Sequence, residues 1–256
     1  MKKKAVAVVM TAVMALGMVS AVSVQAGIED KTLIVGFDAE YPPYGYMDEN
    51  GEYTGFDLEL AQAVCDLEGW ELEKKPINWD SKDMELNSGS IDCIWNGFTM
   101  NGREDDYTFS EPYVDNSQVI VVADDSGIEK LTDLAGKTVG VQAASAALDL
   151  LQSEEEGGQK ELADTFGALN EFADYNTAFT ELQAGALDAL AIDVGVAKYQ
   201  LNSRGEGFKI LDETLNTEQY AIGFKKGNTE LCDIVNADLQ KLADDGTVAE
   251  LAEKYE

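Results

Sequence analysis

Short apolar runs alternate with helically spaced apolar positions along most of this chain, the pattern of βαβ units built on a largely parallel sheet. The run "TLIVGF", Thr32 to Phe37, predicts the first strand, and a loop carrying Pro42 and Pro43 follows it. Phe56, Leu60, Ala63, Val64 and Leu67 then recur at helical spacing, with Thr54 and Asp57 placed as a capping pair at the start. Further on, "SQVIVVADDS" (117–126) predicts an apolar strand running into an acidic turn. "LTDLAGKTVGVQAASA" predicts a short helix, a glycine stop at Gly136, a strand from Thr138 and a helix opening near Ser145. "SEEEGGQK" (153–160) reads as a surface loop, "EQYAIGFKKGN" as a returning strand, and 229–243 and 247–255 as two closing helices.

One pattern occurs twice. "LNSGSIDCI" from Leu86 and "LQAGALDAL" from Leu182 share L-x-x-G-x-[IL]-D-x-[IL], 96 residues apart. Each reads as a last helical turn, a glycine free to adopt the left-handed conformation, and a buried strand. Ligands in open parallel sheets bind beyond the carboxyl ends of the strands. The residues eight past each glycine, Gly97 and Asp193, are therefore expected to face a site from two lobes.

Composition narrows the possibilities. With 256 residues and 45% apolar content, the chain is large enough for one large domain or two small ones. "MKKK" followed by an apolar stretch to Val19 and small residues at Val24 and Ala26 predicts a signal peptide, residues 1–26, the alternative being an uncleaved anchor. No cysteine follows that stretch, so no lipid-attachment signal is expected, and the mature protein should be periplasmic or extracellular. Without the leader, 15 basic residues face 49 acidic ones, a net charge of -34 where the whole chain has -31. Such a surface repels nucleic-acid phosphates and anionic lipid.

Histidine is absent and the three cysteines, Cys65, Cys93 and Cys232, show no metal-ligand spacing. This excludes Ser-His or Cys-His catalysis and a His or paired-Cys zinc site, and no metal or cofactor is expected. Cys65 and Cys93 read as small core residues, with a disulfide between them left open. Acid-base enzymology would need a carboxyl with a raised pKa in a cleft, and no paired carboxylates stand out along the sequence.

Taken in order, "IVGFDAEYPPYGYMDENGEYTGFDLELAQAV", "INWDSKDMELNSGSIDCIWNGFT", "REDDYTFSEPY" and "LTDLAGKTVGVQ" resemble the solute-binding proteins of polar amino-acid ABC transporters. The resemblance runs from Thr32 to Tyr255. It implies an α/β, two-lobed periplasmic-binding-protein-like fold, each lobe a mainly parallel sheet flanked by helices, joined by a two-strand hinge. Lobe 1 would take residues 27–115, lobe 2 residues 116–218, and the return segment 219–256. It further implies a monomer that closes on one L-amino acid and delivers it to a membrane permease. A sensory ligand-binding module and an exported dehydratase-like enzyme are the alternatives on the same fold.

The resemblance also assigns residues. A zwitterion entering a cleft of low dielectric needs both charges paired. Arginine suits the carboxylate because its planar fork donates two parallel hydrogen bonds, and Arg103 matches the family position after the "G-x-T" turn formed by Gly97 and Thr99. Only three residues separate Thr99 from Arg103, one fewer than usual, a deletion that the Asn-Gly turn at 101–102 is expected to absorb. Asp193 matches the ammonium partner, its alternative being a helix cap. Ser145 and Ala146 match a lobe 2 turn whose amides face the ligand. Tyr41 and Trp79 match aromatic walls, and Asp38 a position that meets a polar side chain, with Tyr44, Tyr46 and Asn96 as neighbours. With Asp38 there and no base besides Arg103 at the matched positions, a polar ligand is favoured over an acidic one.

Overall fold

The computed structural model describes residues 31–255. The expected signal peptide lies outside the described residues. No helix among them is long and apolar enough to cross a membrane.

The described residues form two large sheets and a small antiparallel one of three short strands, Glu40–Tyr41, Gly45–Met47 and Tyr53–Thr54. In the first, Thr32–Phe37 lies between Glu71–Pro76 and Cys93–Ile94, parallel to both, and Gly223–Lys225 and Tyr107–Phe109 extend it antiparallel. In the second, Thr138–Gln142 lies between Ala168–Phe172 and Ala189–Asp193, parallel to both. Val114–Ala123 pairs antiparallel with Ala189–Asp193, Phe208–Ile210 and Asn216–Tyr220. Each sheet thus has a parallel centre of three strands and antiparallel additions, a more mixed arrangement than the βαβ alternation predicts. The additions are the segments by which the chain leaves one lobe and returns to it. The crossing strands Val114–Ala123 and Asn216–Tyr220 pair with each other, Val114 opposite Tyr220 and Asn116 opposite Glu218.

The repeated pattern is a repeated structure. Helix Lys82–Ser88 ends at Gly89 (φ 77°) and leads into Cys93–Ile94; helix Tyr175–Gln183 is followed by Gly185 (φ 73°) and leads into Ala189–Asp193. The repeat aspartates do the same work in both lobes. Asp92 Oδ2 accepts from the Ile34 amide at 2.8 Å, and Asp188 Oδ2 from the Thr138 amide at 2.8 Å. The apolar residue before each aspartate packs on a glycine of the central strand: a methyl on Gly36 would collide with Ile91, and one on Gly140 with Leu187.

The first helix runs from Phe56 to Glu68, and here two expectations fail. Its N-cap is Gly55 at φ 134°, with no side-chain cap. The amides of Phe56 and Asp57 are taken instead by the carbonyls of Pro43 and Tyr44, at 2.8 and 3.1 Å. That frees Thr54 to bond Glu59 and the Tyr255 hydroxyl, and leaves Asp57 turned fully inward. The buried face is Phe56, Leu58, Leu60, Ala61, Val64 and Cys65, whereas Leu67 is exposed. Cys65 and Cys93 are buried free thiols, with no disulfide between them, as is Cys232. Burial pushes the Cys65 thiol up to about 12. Helices Thr229–Asp244 and Thr247–Tyr255 pack on the first helix, tied to it where Lys254 meets Glu59 at 2.6 Å.

Candidate functional site

The lobes meet across a cleft at the carboxyl ends of the central strands. Several contacts bridge it. Gln142 Nε2 donates to Asp38 Oδ2 at 2.6 Å, Arg103 Nη2 to Asp149 Oδ2 at 2.7 Å, and Lys82 Nζ to the Ala144 carbonyl at 3.1 Å. The Asn176 amide also meets Glu40, and the rings of Tyr46 and Tyr199 lie 5.6 Å apart. Between these contacts lies a small space of about 10 Å³, room for about one water molecule in this closed arrangement. Tyr41, Trp79, Asn96, Gly97, Thr99 and Arg103 line it from one lobe, and Gln142, Ser145, Ala146 and Asp193 from the other. Asp38 lies just behind, joined to the lining through Gln142.

Gly97 follows strand Cys93–Ile94 in a conformation that favours glycine, φ 56°. A side chain there would also press on Tyr220 and Tyr41, each 3.0 Å from the position of a Cβ. Its amide donates to Asp57 Oδ2 at 2.5 Å, so the inward-facing aspartate of the first helix fixes this turn. Burial raises the Asp57 carboxyl to about 7.

The shortened turn does aim Arg103 into the cleft. The Arg103 amide donates to the Met100 carbonyl at 3.0 Å, closing a tight turn with Gly102 at φ 78°. Asn101 Oδ1 accepts from the Gln219 amide at 2.7 Å, pinning that turn to the second crossing strand. The guanidinium then lies 5.0 Å from the Phe98 ring, with Nη1 donating to the Thr99 carbonyl at 3.3 Å. Its ion-pair partner is Asp149 of the other lobe, not the neighbouring acids Glu104 to Asp106. Thr99 is occupied as well, its hydroxyl donating to Glu218 Oε1 at 2.8 Å.

Asp193 closes strand Ala189–Asp193 and stands at the N-cap position of helix Val194–Arg204, yet its side chain makes no capping bond. It is almost wholly buried, and its Oδ1 accepts from Asn116, Gln118 and Tyr220 at 2.8, 2.7 and 2.6 Å. Burial raises its carboxyl, partly offset by these donors. Ser145 is committed locally, its Oγ accepting from the Leu148 amide at 3.2 Å as the cap of helix Ala146–Gln152.

The aromatic residues divide. Trp79 is half-buried, edge-on to Phe98 at 5.7 Å, with the Lys82 ammonium 5.2 Å from its ring. Tyr41 is buried among Tyr44, Tyr175 and Tyr220, its hydroxyl 3.4 Å from that of Tyr220. Tyr44 crosses the cleft to the backbone of Gly195. Asn96 positions Asp38 by accepting from its amide at 2.8 Å. Asp38 also accepts from the Glu40 amide, and burial lifts its carboxyl to about 6.

Several site residues are not evident in sequence. Gln142 opens the very turn that carries Ser145 and Ala146. Lys82, 5% exposed and pushed down to about 8 by burial, then by Arg103, is a second cation beside the arginine. Glu218 on the second crossing strand lies against Asp193, so the cleft does contain paired carboxylates. Their signal, alternating polar residues in a strand, is the one normally read as a solvated face.

Residues 33–256 match the family described as "Bacterial extracellular solute-binding proteins, family 3". The arginine-binding extracellular protein ArtP of Bacillus subtilis (strain 168) is 34% identical over 88% of this chain and 86% of its own length. The L-cystine-binding protein TcyJ of Escherichia coli (strain K12) is 29% identical over 95% of this chain and 92% of its own. Among solved structures, a histidine-bound substrate-binding protein of an ABC uptake transporter from Streptococcus pneumoniae superposes with a TM-score of 0.82 at 34% identity, covering 88% of this chain and 92% of that one.

Proposed function

The chain belongs to the bacterial extracellular solute-binding proteins, family 3, and we infer that its cleft captures one L-amino acid for an ABC-type uptake system. The observation that carries this reading is one cavity with a guanidinium and a buried carboxylate in its lining, Arg103 from lobe 1 and Asp193 from lobe 2. A zwitterion matches both. Its carboxylate takes the Arg103 fork, and its ammonium takes Asp193. Because the partners sit on different lobes, the ligand favours closure by its differential affinity for the closed form. We further propose that the protein acts as a monomer and hands its ligand to a membrane permease. We take the lobe boundaries as 115–116 and 218–219, inside the paired crossing strands and close to the sheet changes between Phe109 and Val114 and between Tyr220 and Gly223.

The ligand's side chain points toward Trp79 and the wider space beside it. That space is lined by Asp38, Glu40, Asp80, Glu85 and Asp174, an acidic excess over the cations beside it, Lys75 paired with Glu85 at 3.2 Å and Lys82 at 5.2 Å from the Trp79 ring. A polar or cationic side chain is favoured there and an acidic one repelled. Relatives that bind arginine and cystine agree with this preference.

The buried Asp193–Glu218 pair also suits an acid-base enzyme. Here it stands where the ammonium belongs and is held by neutral amide and hydroxyl donors, which supports binding over conversion. A thermal-shift screen of the twenty amino acids plus cystine tests the reading, and mass spectrometry of the mixtures tests for loss of water. Stabilisation by a basic or polar L-amino acid, lost in Arg103→Ala, is expected; no stabilisation by any of them refutes it.

A further inference from the structure

Two buried carboxylates share one set of donors where the lobes join. Asn116 and Gln118 lie two residues apart on strand Val114–Ala123, so their side chains leave the same face. Each amide nitrogen donates to both Asp193 Oδ1 and Glu218 Oε1. The distances are 2.8 and 2.8 Å from Asn116, and 2.7 and 2.8 Å from Gln118. Tyr220 gives Asp193 a third bond at 2.6 Å, and Thr99 gives Glu218 a third at 2.8 Å. Both acids are buried, 3% and 4% exposed.

All six bonds come from neutral groups. The hydroxyls around the pair belong to Tyr41 and Tyr44 of lobe 1, Tyr175 of lobe 2 and Tyr220 of the second crossing strand, and none is a cation. The space that Glu218 faces beyond Thr99 contains Arg103 and Lys82. Their recorded bonds go elsewhere, those of Arg103 to Asp149 and the Thr99 carbonyl and that of Lys82 to the Ala144 carbonyl. Two ionised carboxylates accepting from the same amide nitrogens, desolvated and without a counter-charge bonded to either, repel. Burial raises both carboxyls, and Asp193 raises that of Glu218 further.

We propose that Glu218 is a second carboxylate of the ammonium site, and that in the empty closed protein Asp193 and Glu218 hold one proton between them that leaves to solvent when the ligand's ammonium arrives. This rests on the assignment of Asp193 to the ammonium. The exchange balances: the pair gives one proton to the buffer and receives one positive charge, so the site's net charge is unchanged. Affinity therefore rises with pH, by up to about tenfold per pH unit, across the window in which the empty pair keeps its proton and the occupied pair does not.

The test is titration calorimetry with L-arginine, and with L-histidine, L-glutamine and L-cystine, in buffers of different ionisation enthalpy at one pH on each side of neutrality. About one proton released per ligand is expected for the wild type, and release close to zero with a weaker, nearly pH-independent affinity for Glu218→Gln. Binding whose heat is the same in every buffer overturns the shared proton and leaves the functional reading standing. Unchanged proton release in Glu218→Gln overturns the role of Glu218. Should the four be silent, the same series is run with whichever of the remaining amino acids gives a thermal shift; if none of the twenty and cystine does, the functional reading falls and this inference with it. The wild-type buffer series decides the point even if the variant does not fold.

Discussion

The Arg103–Asp149 contact makes a prediction whose sign exposes how the arginine works. Arg103 reaches across the closed cleft to Asp149 Oδ2 at 2.7 Å, while its other terminal nitrogen donates to the Thr99 carbonyl. In the proposed binding mode an incoming carboxylate takes that fork, which makes Asp149 a competitor placed on the opposite lobe. The Asp149 side chain is 60% exposed, which keeps the pair in the range of solvent-screened ion pairs, about 0.2–1 kcal/mol. Asp149→Asn removes the competing charge and takes nothing from the ligand, so the dissociation constant should fall by about 1.4- to 5-fold. Calorimetry at low and high salt checks it, and the gain should shrink as salt screens the pair. Arg103→Ala sets the scale: it strands a ligand carboxylate in the cleft and should weaken binding by about 2–5 kcal/mol. Weaker binding in Asp149→Asn, or wild-type affinity in Arg103→Ala, would refute the placement of the ligand carboxylate on this fork.

Three further substitutions test other parts of the site. Asp193→Asn should weaken binding at least tenfold, on the order of 1.4 kcal/mol or more, by calorimetry; an unchanged constant would remove Asp193 from the ligand. Gly97→Ala forces a methyl into the left-handed region and against Tyr41 and Tyr220, so it should cost about 1–2 kcal/mol of stability in urea melts and loosen the ligand as well. For Asp57 the folded carboxyl, near 7, lies above its unfolded value of 3.8. The stability that its proton contributes is full below the unfolded value and is lost as pH rises through about 7. Asp57→Asn keeps an acceptor for the Gly97 amide but cannot ionise. The wild type should therefore lose stability relative to the variant between pH 4 and 8, by a few kcal/mol in denaturant titrations; parallel curves would mean that Asp57 is not held neutral.

What was legible in the sequence is what period and punctuation encode. Thr32–Phe37, the helix at Phe56 and the glycine stops at 89 and 185 follow from apolar spacing and from glycine's freedom at positive φ. Edge and crossing strands were harder to read. Ala168–Phe172 has no fully buried position, so it carries no apolar run to detect. Asn116, Gln118 and Glu218 look like a solvated face until the chain folds back 100 residues later and buries them together. Asp57 misled for a local reason, since an aspartate in the first turn of a helix is read as a cap. Only the loop carbonyls of Pro43 and Tyr44, brought over the helix end, release it to hold the Gly97 turn. Arg103, Asp193 and most of the cavity lining came from ordered motifs, because a site at strand ends inherits its position from the strands.

The repeat explains why the site has opposite charges on its two sides. Within the repeated unit both copies keep the same mechanical parts: an aspartate tying the strand to its neighbour, an apolar residue seated on a glycine, a glycine ending the helix. These fix two strand ends in equivalent positions. Just past them the copies diverge, to Gly97 at φ 56° in one lobe and to a buried carboxylate, Asp193, in the other. The glycine lets the first chain turn sharply, which places Thr99 and then Arg103 over the cleft. The aspartate stops the second chain at a charge, held by donors from the strand that joins the lobes. One scaffold used twice thus supplies a cation from one side and an anion from the other. Because the donors that hold Asp193 sit on the crossing strand, the charge it presents to the cleft is set by the segment that joins the lobes.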